Sequence, residues 1–180
     1  LYAGAGLQIE DWLTDLRRNE AEQHGRLELV NGALADKNGK LRHEKLLSAW
    51  VIHLLANANG LHMQTRLIGA DAQARLDALS PEDAAAQLDA LLAALHEGMQ
   101  SPLPIARKTA FAWLQSPKNP VTAAKACYEG NSFAHIPGEA GEDAYLARAW
   151  PSFEALQAGG FERWLPLYQA VIDAASGSDA

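Results

Sequence analysis

Residues 41–60, LRHEKLLSAWVIHLLANANG, followed by residues 62–69, HMQTRLIG, decide the fold class. Leu46, Leu47, Trp50, Val51, Leu54 and Leu55 recur at three- and four-residue spacing, which is one face of an α-helix. Asn59-Gly60 is a C-terminal stop, because glycine enters the left-handed backbone region without steric cost. The helix is apolar enough to be central. HMQTRLIG then reads as a strand. ADAQ (70–73) turns the chain, and ARLDAL (74–79) pairs back as a hairpin.

Upstream lie two more strand-like runs. LQIEDWLTDLR (7–17) alternates, though neither face is purely apolar. RLELVNGAL (26–34) alternates Leu27 and Leu29 with charges and bends at Asn31-Gly32. The two are expected to form an antiparallel pair. ADKNGK (35–40) is a turn before the central helix.

Downstream the signals are helical. SPEDAAAQLDALLAALHEGM (80–99) offers Ser80 as N-cap, Pro81 at the first helical position and acids in the first turn. QSPLPIARKTAFAWLQ (100–115) is extended across Pro102 and Pro104. It then reads as a helix with Ala106, Ala110, Phe111, Trp113 and Leu114 on an apolar face and Arg107 and Lys108 on its flank. Further helices are expected over 119–130, over 142–153 up to Pro151, and over 161–175 with a kink at Pro166. Residues 131–142 read as a loop, and the ends 1–6 and 176–180 are expected to fray. The order is strands, helix, strands, then helices only. That predicts one α+β domain over 1–180, with a small antiparallel or mixed sheet, packed helices and a helical C-terminal half.

Composition narrows the function. Net charge is −7, so the chain lacks the overall basic charge of a non-specific nucleic-acid binder, and DNA contact would need a local basic patch or neighbouring subunits. The one cysteine, Cys127, excludes an internal disulfide, fits a reducing compartment and reads as a small apolar residue. Residues 1–6 lack a basic n-region, and the longest apolar run (46–56) is too short to span a bilayer. A chain starting at Leu1 reads as a piece of a longer one.

Motif chemistry is sparse. There is no phosphate-binding Gly-x-x-x-x-Gly-Lys-Ser/Thr, no Gly-x-Ser-x-Gly and no His-Glu-x-x-His. His24, His43, His53, His62, His96 and His135 have no ligand spacing and read as surface or interface residues. A metal-dependent nuclease of the restriction-enzyme type needs an acid on one strand and acid-x-Lys on the next, so that two carboxylates hold Mg²⁺ beside the lysine. Two positions before the six lysines stand Ala35, Asn38, His43, Ala106, Ser116 and Ala123, and none is acidic. Asp15-Leu16-Arg17 is the nearest mimic. No metal or cofactor site is expected.

The blocks GRLELVNGALADKNGKLRHEKLLSAWVIHLLANANG, TRLIG, ALHEGMQSPLPIARKTAFAWL, AAKACYEG and GEDAYLARAWPSFEAL occur in this order over about residues 7–175. The ordered set resembles the C-terminal domain of the RecC family, the gamma subunits of the RecBCD helicase–nuclease, exodeoxyribonuclease V. The resemblance implies a restriction-endonuclease-like fold that has lost its catalytic residues. It also implies a part in receiving duplex DNA ends, strand separation, and packing against RecB-like and RecD-like subunits in cytoplasmic double-strand-break repair. The Gly-x-x-Asp-Arg and Asp-Tyr-Lys-Thr-like pair of the related active nucleases is missing here. Arg107 and Lys108 are the first candidates for DNA or partner contact. The aromatic region with Trp150, Phe153, Phe161 and Trp164 is a candidate interface patch. Two alternatives stand beside this reading: an active Mg²⁺ nuclease built on Asp11, Asp15 and Glu28, and a pure protein-interaction module without DNA contact.

Overall fold

The computed structural model describes residues 1–4, 6–131 and 133–179. Its contacts fall into two compact units, residues 1–96 with 170–180, and residues 97–169.

The first unit carries the strands. β1 (Tyr2–Gly4) and β2 (Leu7–Ile9) form a small hairpin, tied to α2 through the Tyr2 hydroxyl, which donates to the Ala85 carbonyl at 3.0 Å and to Asp89 at 2.9 Å. β3 (Leu16–Arg18), β4 (His24–Leu29), β5 (Gln64–Ile68), β6 (Ala72–Leu76) and β9 (Ala175–Asp179) make a five-stranded sheet in that order. All neighbours are antiparallel except β4 and β5, which run parallel with Leu27 opposite Arg66. A parallel pair requires a crossover, and the central helix α1 (Leu47–Ala58) supplies it.

This mixed α+β architecture matches the expected fold class, with differences in detail. Residues 7–17 split between two sheets instead of forming one strand, because Asp15 takes a left-handed φ of 61° that breaks the extended run. The helix begins at Leu47, not Leu41, since His43–Lys45 form a 3-10 turn. The ends expected to fray are paired: Tyr2–Gly4 in the hairpin, and β9 along β6. Backbone hydrogen bonding to a partner strand outweighs the weak propensity of ASGSD.

Leu34, Leu46, Trp50, Leu54, Met63, Leu67, Leu76, Leu88 and Leu92 are buried in the first unit. A polar staple crosses that interior. His53 of α1 is fully buried, with Nδ1 3.0 Å from the Thr65 hydroxyl and Nε2 3.1 Å from the Asp77 carbonyl. Asn57 Nδ2 donates to the Met63 carbonyl at 3.0 Å, and the Leu79 amide donates to Asn57 Oδ1 at 3.3 Å. His53 and, in the 3-10 turn before α1, His43 are thus interior, where surface or interface positions were expected: a helix this apolar buries what lies on its sheet-facing side, and hydrogen bonding makes the imidazole of His53 tolerable there. Gly60, at φ 79°, ends the helix as expected, its amide donating to the Asn57 carbonyl at 2.8 Å.

The second unit is helical. α2 (Pro81–Gly98) leads into it, with Ser80 Oγ accepting from the Asp83 amide as N-cap. α3 (Arg107–Leu114) and α4 (Pro120–Glu129) follow, then β7 (Gly130–Asn131) paired with β8 (Ile136–Pro137), α5 (Glu139–Glu142), α6 (Ala144–Ala149) and α7 (Phe153–Ala158). Phe161–Trp164 is a 3-10 turn, and α8 (Leu165–Ala174) returns the chain to the sheet. Pro166 stands in the first turn of α8, where its missing N–H costs nothing, so it starts a helix instead of kinking one. Ala106, Ala110, Ala124, Tyr128, Phe153, Leu156 and Phe161 form this unit's core.

Candidate functional site

The 100–115 stretch resolves from its backbone. Ala106 is extended (φ −144°, ψ 109°) and has no side chain with which to cap the helix that starts at Arg107. The cap comes from 30 residues away. Glu139, buried, accepts from the Lys108 amide at 3.0 Å, the Thr109 amide at 2.8 Å and the Thr109 hydroxyl at 2.9 Å. A carboxylate at the positive end of a helix dipole, holding otherwise unpaired N–H groups, is favourable. The basic pair then divides. Lys108 is half-buried and its ammonium pairs with Glu142, which holds that carboxyl below its ordinary range, with a smaller push from Arg107. Arg107 is exposed and takes part in no ion pair among the described residues.

The aromatic patch requires correction. Phe153 is 1% exposed, Phe161 is fully buried and Trp164 is buried. Trp150 is half-buried, donates through Nε1 to the Leu103 carbonyl at 3.0 Å, and lies so close to Gly159 that a Cβ there would sit 2.5 Å from the indole. Phe153 meets Phe161 edge-on with ring centroids 6.2 Å apart. Without a long strand to pack against, the short helices of this unit bury their aromatics on one another. Tyr128 donates to the Trp150 carbonyl at 2.6 Å, and burial pushes its hydroxyl pKa up to about 12.

The three carboxylates of the alternative nuclease set are each committed locally. Asp11 accepts from the Trp12 amide at 2.7 Å and Asp15 from the Thr14 hydroxyl at 3.2 Å. Glu28 pairs with the guanidinium of Arg26, two residues earlier on the same face of β4. Among the described residues no three His, Cys, Asp or Glu side chains are placed to hold a metal ion. Cys127 is half-buried.

One feature of the sheet was not anticipated from the sequence. Thr65, Leu67, Ala74 and Leu76 are buried on one face. The alternate residues Leu27, Leu29, Arg66 and Arg75 are exposed on the other, with Gln73 half-buried among them. A depression of about 250 Å³ on this face is lined by Arg66, Gln73, Arg75 and Ser176. Arg17, opposite Gly25, lies on the same face. The period-two pattern of QTRLI and AQARL separates Arg66 and Arg75 from the buried set, and that signal could have located the face.

No helix among the described residues is long and apolar enough to cross a membrane. No curated protein matches the chain. A family model for the RecC C-terminal domain matches residues 2–117, more than half of the chain, covering strands β1 to β6 but not β9, together with α1, α2 and the SPLPIARKTAFAWL block. The AAKACYEG and GEDAYLARAWP blocks lie beyond the matched span. The chain therefore belongs to the RecC C-terminal domain family, that of the RecC-type subunit of the RecBCD exodeoxyribonuclease V.

Proposed function

We propose that this is a non-catalytic domain with a restriction-endonuclease-like core. It scaffolds the helicase–nuclease complex with RecB-like and RecD-like subunits in the cytoplasm. It contributes to DNA-end binding and strand separation during double-strand-break repair by homologous recombination. The observation that carries the reading is the state of three carboxylates, Glu28 on β4 and Asp11 and Asp15 in the segment between β2 and β3. Glu28 is neutralised by Arg26, and Asp11 and Asp15 are satisfied by their immediate neighbours. A guanidinium beside the strand carboxylate offers a fixed positive charge where a nuclease needs a divalent cation. The crossover β4–α1–β5 inside an otherwise antiparallel sheet supports the nuclease-like core. The domain itself needs no cofactor on this reading.

On this reading Arg107, exposed and in no ion pair among the described residues, contacts DNA or a neighbour, while Lys108 contributes through its pairing with Glu142. With a net charge of −7, the domain draws most of its phosphate-binding charge from other subunits.

The test is binding of the purified chain to a fluorescent blunt-ended duplex, at low and physiological salt, with and without Mg²⁺, with the products run on a gel. Weak, salt-sensitive binding without cleavage is expected. Mg²⁺-dependent cleavage that disappears on Asp15→Ala would overturn the reading in favour of an active nuclease.

A further inference from the structure

The open face of the five-stranded sheet is built for an occupant. Leu27 is 46% exposed and Leu29 is 77% exposed on β4, half of the parallel pair β4–β5. All-parallel sheets are covered on both faces, whereas a mostly antiparallel sheet such as this one commonly leaves one face in water, so what marks this face is its composition more than its exposure. Here α1 lies against β5, and Thr65 and Leu67 of that strand are buried on the opposite face.

The charges on the open face carry a second signal. Arg66 and Arg75 stand directly opposite each other across β5 and β6. Like charges in that position repel. Arg75 is relieved by Asp77 at 2.9 Å, whereas Arg66, like Arg17 on the same face, joins no ion pair among the described residues. The face thus combines an aliphatic strip with uncompensated arginine in a chain whose net charge is negative.

We infer that this face docks an amphipathic helix of a partner subunit, with an aliphatic stripe against Leu27 and Leu29 and acidic side chains against Arg66 and Arg17. The inference rests on the scaffold reading above. A helix is the element that covers a sheet face. Aliphatic side chains beside arginine suit a protein interface. Single-stranded nucleic acid would want aromatic stacking platforms, which this face lacks, and a duplex would set phosphates against Leu27 and Leu29. A symmetric second copy would place arginine against arginine.

The test uses the full-length subunit assembled with its RecB-type and RecD-type partners, carrying a benzoylphenylalanine photocrosslinker at position 29. The expected result is a cross-link to an acidic helical segment of one partner. The pair Arg17→Glu with Arg66→Glu should weaken assembly by roughly tenfold, with an unchanged melting curve because both side chains are exposed. A cross-link to DNA, to a second copy or within the same polypeptide overturns the inference, as does an intact complex with no cross-link at position 29. In those cases the scaffold reading survives. If the unmodified subunit fails to assemble with either partner, the scaffold reading falls and this inference with it.

Discussion

Both units close a core and leave apolar side chains open, but they do so with different geometry. The helical unit buries Tyr128, Phe153, Leu156 and Phe161 to within 1% of complete burial and caps α3 from inside through Glu139, while Phe133, Ile136 and Tyr145 stay exposed outside that core. The sheet unit closes on one side only, with Leu67 and Leu76 fully buried on one face while Leu29 is 77% exposed on the other. In the sheet unit the open aliphatic side chains share one sheet face with Arg66 and Arg75, which sets that face apart as a contact element from the aromatic core that stabilises the helical unit.

The sharpest way to break that contrast is to truncate one side chain in each unit. Phe153→Ala should destabilise the helical unit by about 4 kcal/mol, as large-to-small changes in a full core do. Leu29→Ser should stay within about 0.5 kcal/mol, as exposed substitutions do. Urea unfolding followed by tryptophan fluorescence measures both, and comparable losses would mean that the sheet face is not open.

Acid should act on the sheet unit through His53. Burial lowers its folded pKa to about 4, below the ordinary value near 6.5, despite the opposing pull of Asp77. The unfolded chain therefore binds the proton first. Stability is complete above about pH 6.5 and falls as the pH drops from 6.5 toward 4, by at most about 3 kcal/mol. His53→Gln should flatten that slope, read from denaturation midpoints across the pH series.

Glu139→Ala should cost the helical unit about 2 kcal/mol, since it orphans the amides of Lys108 and Thr109. Glu139→Gln should recover part of the loss, and faster amide exchange at residues 107–110 would locate the effect. Tyr128→Phe removes the hydrogen bond to the Trp150 carbonyl and should cost about 1 kcal/mol. Arg107→Glu should leave stability unchanged while weakening duplex binding at low salt. An unchanged salt dependence would remove Arg107 from the DNA surface.

Much of the architecture is written locally. Ser80-Pro81 start α2, Pro104 precedes α3, Gly130 ends α4 and Gly60 ends α1, because capping and backbone preference act within four residues. The hairpin β5–β6 is legible from its alternation around Gly69 and Asp71. The helix after Pro151 was not legible: Phe153 and Trp150 read as a patch when taken as positions, although Ser152 is an N-cap whose hydroxyl accepts from the Ala155 amide.

The sequence by itself determined the element types, the absence of a phosphate loop or an acid-x-Lys pair, and membership in an acidic, cysteine-poor α+β class. Only the tertiary structure decided that β4 and β5 run parallel, that β9 comes back from the far end of the chain to flank β6, and that Glu139 caps a helix 30 residues away. It also decided that His53 is interior and that Leu29 faces solvent. The physical reason is range. Dihedral preferences and caps are settled between near neighbours, whereas burial and charge pairing are settled by residues that meet only after the chain has folded.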